Sequence, residues 1–505
     1  MTAKVNCEIN TNLEPAKSPA KTKVQRALSS HAFLGLTLSI LLFLICLSGS
    51  LVVFFEEFER WEQPQIPEYS NYTAPQLETA LDAFLDRVEE VPESIYLVLP
   101  TAAVPRIHIA GDNQEWFVAE DGALLEPPVE GWTYFLKELH ISLHLPHTIG
   151  LIIVGAFGAM LLGLIITGVL AHPRIIKDAF LWRRHNSERL KQVDLHNRLG
   201  VWGIPFFVMI ALTGAFIGLV SVLILVTASA FYQNDREAVV DEVYGPDIQV
   251  NAELEPVNFR AILTNFAAHD DSASPIYLVL QNYGTRQQFV EVAATLPERL
   301  IYSEIYRYHV NGEYINQQGM SNGPWGQQLA YSVYRLHFGH FGSAWVKVLY
   351  FCLGIALTVV CVSGVNIWLL RRQPALFYRR AWTAMVWGTP MALALSMFAI
   401  GKWFSAGQLF ISGVALSLVI AFCCRSYRLS RCLLQLITAA ILVFVVIAHR
   451  LLFDYPVQLD AINGVNAGCI LLALGLVVSA VKTLFEHAKL AAGEVTGAPI
   501  QLTDS

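Results

Sequence analysis

The sequence predicts a mainly α-helical membrane protein with about eight transmembrane helices, a duplicated four-helix unit and two small external α+β domains. Of its 505 residues, 54% are hydrophobic and only 15% are charged, whereas soluble domains usually contain about 25% charged residues. Several apolar runs reach the length of about 20 residues that a helix needs to cross a bilayer. In addition, sequence motifs in the first 370 residues recur in the same order as two copies.

Eight apolar runs predict the spans. They lie at 32–54, 148–171, 200–228, 346–370, 383–401, 406–424, 432–449 and 463–482. Arginine and lysine concentrate in the tail before the first span and in the loops 172–195, 371–381 and 423–431. The positive-inside rule then places all of these on the cytoplasmic side. We therefore expect a multi-pass protein of the bacterial inner membrane with both termini in the cytoplasm, and with the long segments 55–145 and 229–345 outside.

Motif spacing divides the chain into repeats. "SIYLVLP" at 94–100 returns as "PIYLVLQ" at 275–281, and "ELHISLHL" before the second span corresponds to "RLHFGHFG" before the fourth. Asp121-Gly122 and Asn311-Gly312 predict a turn between two strands in each external segment. Both copies begin on the same side, so the repeat is parallel and its pseudo-two-fold axis should run along the membrane normal.

The predicted organisation is built on these repeats. It comprises a cytoplasmic tail at 1–30, a first repeat at 31–171 with an external domain at about 60–135, a cytoplasmic basic loop at 172–195, a second repeat at 196–372 with an external domain at about 235–335, a four-helix C-terminal bundle at 383–482 and a cytoplasmic tail at 483–505.

Histidines at the span boundaries predict a cofactor site. His31 and His196 occupy equivalent positions at the cytoplasmic ends, and His140 and His337 do so at the external ends. Ionisable groups at membrane depth are usually functional, and imidazole binds iron, copper and zinc. A two-fold axis brings equivalent residues together, so we expect each pair to supply both axial ligands of a b-type haem, giving two haems in all.

Further histidines keep the ligand assignment open. His144 or His340 could replace its neighbour as a ligand, and His172 is a third candidate at the cytoplasmic layer. Each histidine could instead cap a helix or extend toward the lipid headgroups. We expect small residues to leave room for the ring: Gly35, Gly155, Gly158, Gly163 and Gly200. The sequence contains neither a c-type haem motif nor a dinucleotide fingerprint, so a cytoplasmic partner or a quinol would have to supply electrons.

Five segments together resemble the PepSY-associated transmembrane proteins, over roughly residues 25–372. They are "SHAFLGLTLSILLFLICLSGSLVVFFEEFERWEQP", "ELHISLHLPHTIG", "AHPRIIKDAFLWRR", "DLHNRLGVWGIPFFVMIALTG" and "LHFGHFG" with "VSGVNIWLLRR". This family includes bacterial iron-uptake proteins and inner-membrane ferrisiderophore reductases. The resemblance implies a PepSY-like domain in each external segment, haem b in the four-helix unit, and an oxidoreductase that reduces a periplasmic ferric siderophore or similar chelate. Its motif histidines correspond to His31, His140, His172, His196 and His337.

Two other functions remain open from the sequence. The chain could be a membrane anchor whose PepSY-like domains bind peptide or regulate an envelope protease without redox activity, or a transporter built on the parallel repeat. The expected partners are membrane lipid, a cytoplasmic or quinol electron donor and a periplasmic ferric chelate; no nucleic acid is expected.

Overall fold

The structure is a computed structural model that describes residues 22–180, 187–246, 248–251, 253–372, 375–458 and 460–491. Parts of the sequence predictions lie outside these residues: 1–21 and 492–505 of the two tails, and Arg183 and Arg184 of the basic loop.

The described residues form seventeen α-helices and seven strands. The helices are α1 (Lys23–Val52), α2 (Phe55–Glu62), α3 (Ala74–Leu85), α4 (Trp132–Ile141), α5 (His147–Ala171), α6 (Ile175–Asp178), α7 (Glu188–Trp202), α8 (Ile204–Phe231), α9 (Arg236–Tyr244), α10 (Phe259–His269), α11 (Trp325–Phe338), α12 (Ala344–Arg372), α13 (Leu376–Thr383), α14 (Thr389–Ser396), α15 (Ala406–Cys423), α16 (Tyr427–Phe453) and α17 (Ala461–Ala491). The strands are β1 (Ser94–Val98), β2 (Ile107–Gly111), β3 (Gln114–Val118), β4 (Ser274–Gln281), β5 (Phe289–Thr295), β6 (Glu304–Tyr308) and β7 (Tyr314–Gln318).

Eight helical segments are long and apolar enough to cross a membrane, which confirms the predicted span count. They correspond to α1, α5, α8, α12, the composite segment Leu376–Gly401, α15, α16 and α17. The third predicted span, 200–228, crosses a helix break at Gly203, where Pro205 occupies the first turn of α8. Proline removes a backbone donor and favours the start of a helix over its interior. His196 therefore lies on a separate helix, α7.

The strands of both predicted external domains form one antiparallel sheet in the order β3-β2-β1-β4-β5-β6-β7. The two copies of the IYLVL motif, in β1 and β4, pair with each other, and Leu97 lies opposite its equivalent Leu278. The helices α3 and α10 pack on the sheet through one shared apolar core. Each half keeps its α+β composition, but the halves share a sheet, which the sequence did not predict.

The two predicted turns lead into different structures. Asn311-Gly312 joins β6 to β7 as a hairpin, and Gly312 adopts a φ of +94°, where a side chain would be strained. Asp121-Gly122 comes after β3, and the returning chain pairs with the end of β3 only briefly, through a bridge between Val118 and Leu124 and a backbone hydrogen bond from Leu125 to Phe117. The hairpin expected in the first repeat is thus shortened.

The first four spans pack as one unit. The helix α1 contacts α5 and α12, α5 contacts α8, and α7 contacts α12. An alanine Cβ at Gly155 would lie 2.7 Å from the backbone of Gly218, and one at Gly158 would lie 2.9 Å from the amide nitrogen of Ala215. Gly155 and Gly158 therefore allow close packing of α5 on α8, and Gly158 also lines the cleft beside His140 and His337.

Pairing of β1 with β4 predicts a specific cross-link. Ser94 and Gln281 are directly opposite, and the Ser94 hydroxyl donates to the Gln281 amide oxygen at 2.6 Å. We expect the double variant Ser94→Cys/Gln281→Cys to form a disulfide under mild oxidation, because opposite residues bring their Cβ atoms within bonding reach. Mass spectrometry of the digested protein would detect the linked peptides. The control is Ser94→Cys/Thr295→Cys. Thr295 lies on β5 opposite Ser274, at the far end of β4 from Gln281, so its cysteine should not reach the one at position 94. Equal cross-linking in the two double variants would contradict the register.

Candidate functional site

Four histidines form two pairs at opposite ends of the four-helix unit. His140 and His337, the sheet-side pair, have ring centroids 6.2 Å apart and ring planes inclined by 22°. His31 and His196, the far-side pair, have centroids 6.1 Å apart and planes inclined by 75°. The structure thus brings together both histidine pairs that the repeat suggested.

Hydrogen bonds fix the far-side rings. His31 Nδ1 lies 3.0 Å from the carbonyl oxygen of Leu164 on α5, and His196 Nδ1 lies 3.1 Å from that of Val360 on α12. Because a carbonyl oxygen only accepts, both Nδ1 atoms must carry the proton. Each ring is therefore oriented by the backbone of a neighbouring span, with its second nitrogen, Nε2, left as a lone pair in the neutral tautomer.

The sheet-side rings are held in the same way. His140, on α4, donates its Nδ1–H to the carbonyl oxygen of Ile45 at 3.0 Å. His337, on α11, lies 2.9 Å from the hydroxyl of Thr213. That hydroxyl donates its own proton to the Met209 carbonyl oxygen at 2.7 Å, so it accepts from His337 Nδ1–H. All four imidazoles therefore share one tautomer, the form in which Nε2 can bind a metal.

A helix glycine lies against each of the four rings. A Cβ added at Gly49 would lie 2.5 Å from Cε1 of His140, and one at Gly214 would lie 3.1 Å from Cε1 of His337. Gly168 and Gly364 have corresponding distances of 3.1 Å to His31 and 3.4 Å to His196. At Gly49, Gly168 and Gly214 the absence of a side chain lets the imidazole lie this close to the helix, whereas a Cβ at Gly364 would make an ordinary van der Waals contact with His196. Of the glycines expected to make room, Gly163 and Gly200 face open space in the described structure.

A mainly apolar cleft adjoins the sheet-side pair. The cleft is open on one side, and both His140 and His337 line it together with residues of α1, α5, α8 and α12. A cleft of this kind, with a few convergent polar groups, is typical of a cofactor site between the helices of a bundle.

The separation of the rings in each pair fits a metal bound between two imidazoles. A nitrogen-to-metal bond is about 2 Å long, so two nitrogens on opposite sides of one metal lie about 4 Å apart and their ring centroids roughly 6 Å apart. Both centroid distances have this magnitude. No group of three or more His, Cys, Asp or Glu side chains that could hold a metal occurs within the described ranges, and a haem with two axial histidines requires only two.

The remaining candidate histidines lie against other partners. His172 Nε2 accepts from the Asn197 amide at 3.2 Å and lies 3.6 Å from Asp178. His144 donates Nε2–H to the Phe135 carbonyl oxygen at 3.0 Å. His340 lies just after α11, with its Nε2 3.8 Å from a carboxylate oxygen of Glu56.

The sequence did not reveal the groups that orient the rings. The carbonyl acceptors on α5 and α12 leave no trace in residue type, since any residue supplies a carbonyl. Gly168 and Gly364 could have been found, because each comes directly after a hydroxyl residue, Thr167 and Ser363, as Gly49 comes after Ser48. The Ser/Thr-Gly pattern therefore marks the ring-contacting turn of each span.

Acidic residues after α1 have specific partners. Lys347 donates to Glu56 at 2.7 Å and to Glu57 at 2.7 Å. Desolvation and then the charge of Glu115 raise the pKa of the Glu59 carboxyl to about 8. Glu62 is buried and accepts from the amides of Trp132 and Thr133 at 2.6 and 2.7 Å, which caps the amino terminus of α4.

Fold and site together define a multi-pass membrane protein with a duplicated four-helix unit, in which equivalent histidines of the two repeats lie next to each other. The family description PepSY-associated TM region matches residues 28–371. The chain belongs to this family. It is also 31% identical over 254 residues to an uncharacterized protein of Pseudomonas aeruginosa; the match covers 48% of this chain and 64% of that relative's length.

Close contact between Gly49 and His140 predicts that Gly49→Ala is destabilising. The added methyl group must displace the ring and strain its bond to Ile45, and overpacking of this kind costs roughly 1–3 kcal/mol. Gly163→Ala is the matched control, because a Cβ there meets nothing within 4 Å. Thermal unfolding of the purified full-length protein should show a lower melting temperature for Gly49→Ala alone. Equal melting temperatures for both variants would contradict the contact.

The raised pKa of Glu59 predicts a pH-dependent stability. A carboxyl whose pKa is about 8 in the folded chain and 4.5 ordinarily binds a proton on folding, so stability falls as pH rises between about 4.5 and about 8. We expect the stability of Glu59→Gln to fall less over this pH range. The melting temperature of the variant should therefore rise relative to that of the wild type between about pH 4.5 and about pH 8, and the difference should persist at higher pH. Glu90→Gln, at an exposed carboxylate, controls for lost charge. A constant difference between Glu59→Gln and wild type would contradict the shift.

Proposed function

We propose that this protein is a b-type di-haem electron-transfer protein of the bacterial inner membrane, and that it acts as an oxidoreductase delivering electrons to a periplasmic ferric siderophore or similar ferric chelate. The proposal is carried by the two imidazole pairs. In each pair the ring centroids are about as far apart as in two imidazoles that bind one metal, and each ring is in the tautomer whose Nε2 is free to bind a metal. Membership of the PepSY-associated family is consistent with it.

The chain's own groups would hold and orient the cofactors. His31 and His196 would ligate the far-side haem, and His140 and His337 the sheet-side haem. A haem held by two histidines would supply one-electron transfer. The helix oxygens that accept from Nδ1–H hold the proton on that nitrogen and fix the ring plane, which influences the reduction potential.

Position within the fold supports a direction of electron flow. The far-side pair lies at the end of the unit that carries the basic loop, which the positive-inside rule assigns to the cytoplasm. The sheet-side pair lies on α4 and α11, the helices that come directly after the sheet domain in each repeat. Electrons from a cytoplasmic donor or a quinol would then pass outward to an acceptor near the sheet. Reduction to iron(II) would release the metal, because hard oxygen chelators bind iron(II) more weakly.

Single-histidine variants test the two haem sites. The purified wild type should show the sharp visible α-band of bis-histidine haem in a dithionite-reduced minus oxidised spectrum. We expect His196→Ala and His337→Ala each to remove about half of the haem, because each destroys one axial pair. A ferric chelate should reoxidise the reduced wild-type protein.

His147→Ala is the matched control, since His147 is exposed near the sheet-side ends of the spans. It should keep both haems. Wild-type protein that lacks haem after expression in haem-replete cells would overturn the proposal and leave the anchor or transporter functions. Full haem content in His196→Ala and His337→Ala would exclude these residues as ligands.

A further inference from the structure

The C-terminal bundle, α13–α17, contacts the helix that carries His140. The indole nitrogen of Trp132, the first residue of α4, donates to the carbonyl oxygen of Leu393 on α14 at 3.1 Å. The buried face of α4, which includes Leu136 and Leu139, packs in one apolar cluster with residues of α14, α16 and α17. On the same face Phe135 lies 5.3 Å from the ring of Phe410 on α15. The bundle therefore covers one side of α4.

The other support of α4 is α2, which the bundle also holds. Glu62 at the end of α2 caps α4 through two backbone amides. Its neighbour Trp61 is fully buried and stacks on His449 of α16, with centroids 4.7 Å apart and planes inclined by 9°. His449 donates Nε2–H to the Trp61 carbonyl oxygen at 2.9 Å. The Trp61 indole in turn donates to the Asn466 amide oxygen at 3.0 Å.

The second sheet-side histidine is supported differently. His337 lies on α11, which packs against α8 and α9. Arg335 on the same helix donates to the carbonyl oxygens of Arg299 and Ile301 in the sheet domain at 2.8 and 3.1 Å. Trp325, the first residue of α11, is 80% exposed, whereas Trp132 at the same place in α4 is 3% exposed. The two halves of the sheet-side pair thus depend on different parts of the chain.

We propose that the C-terminal bundle positions His140 for binding the sheet-side cofactor, with Trp132 as the positioning residue and the Trp61–His449–Asn466 contacts as its second support. This inference rests on the proposed function. The spans α13–α17 lie beyond the residues that match the family, 28–371. On this proposal α14–α17 are a brace that fixes one imidazole of the sheet-side site. The bundle's contact with the other end of the unit, from the Trp382 indole on α13 to the Asn366 amide oxygen on α12 at 3.1 Å, is separate from this brace and does not pass through Trp132.

The variant Trp132→Phe tests the brace in the full-length protein. It removes the indole donor while keeping an aromatic ring, so α4 should remain folded but lose its link to Leu393. We expect the low-spin ferric EPR signal of the sheet-side haem, identified as the signal lost in His337→Ala, to shift or broaden. Loss of that haem to an acceptor apoprotein should become about 10-fold faster, the effect typical of groups that orient a ligand. Trp325→Phe, the matched control, should change neither measurement.

The far-side signal is an internal control, because its retention shows that the variant has folded. If Trp132→Phe does not fold, Asn466→Ala, which removes the acceptor of the Trp61 indole, should give the same selective shift. Two unchanged signals in a folded Trp132→Phe protein, or equal changes in both, would overturn the inference.

A measurement without haem separates this inference from the proposed function. Spin labels at the exposed positions Tyr134 on α4 and Leu329 on α11, in a background without native cysteines, report the distance between the two helices. Trp132→Phe should broaden that distance distribution, and Trp325→Phe should not. Absence of haem from the wild type would contradict the proposed function, but the distance measurement would still show whether the bundle fixes α4. Distance distributions that Trp132→Phe leaves unchanged would contradict the brace.

Discussion

Backbone hydrogen bonds between β1 and β4 join the two repeats. Because the IYLVL motif pairs with its own copy, Leu97 meets Leu278, and equivalent residues are brought together across the molecule. Equivalent histidines meet at two further levels, His140 with His337 and His31 with His196. A parallel duplication can place like residues face to face only near its axis, so the paired imidazoles and the paired strands arise from the same symmetry.

The second constraint is the cost of polar groups at membrane depth. An imidazole without a hydrogen-bond partner would be destabilising in apolar surroundings. Each of the four rings meets this requirement at Nδ1, with a carbonyl or hydroxyl oxygen of an adjacent span. Glycine at the contacting turn lets the ring approach closely enough for the bond. The hydrogen bond at Nδ1 fixes the ring and leaves Nε2 as the nitrogen that can bind a metal. The same bond therefore serves both the stability of the fold and the proposed chemistry.

Symmetry is incomplete where the C-terminal bundle attaches. The acidic sequence after α1 is typical of a solubilising surface, yet Glu62 is buried and caps α4, while Glu56 and Glu57 both accept from Lys347. Their partners are far away in the chain, so local composition carries no sign of these roles. The buried stack of Trp61 on His449 joins residues 388 positions apart, and it ties only the first repeat to the bundle.

The sequence by itself determined the membrane class, the eight spans, the repeat and the histidine positions, because hydrophobic length and motif recurrence are properties of the chain itself. It predicted both histidine pairs but left His144, His340 and His172 open as alternative ligands, and it predicted two separate sheets where the structure has one. Tertiary structure decided that β1 joins β4 and that His144 turns to the Phe135 carbonyl. It also decided which carbonyls orient the rings. These outcomes depend on contacts between distant segments, where backbone groups common to all residues do the binding and residue type gives no signal.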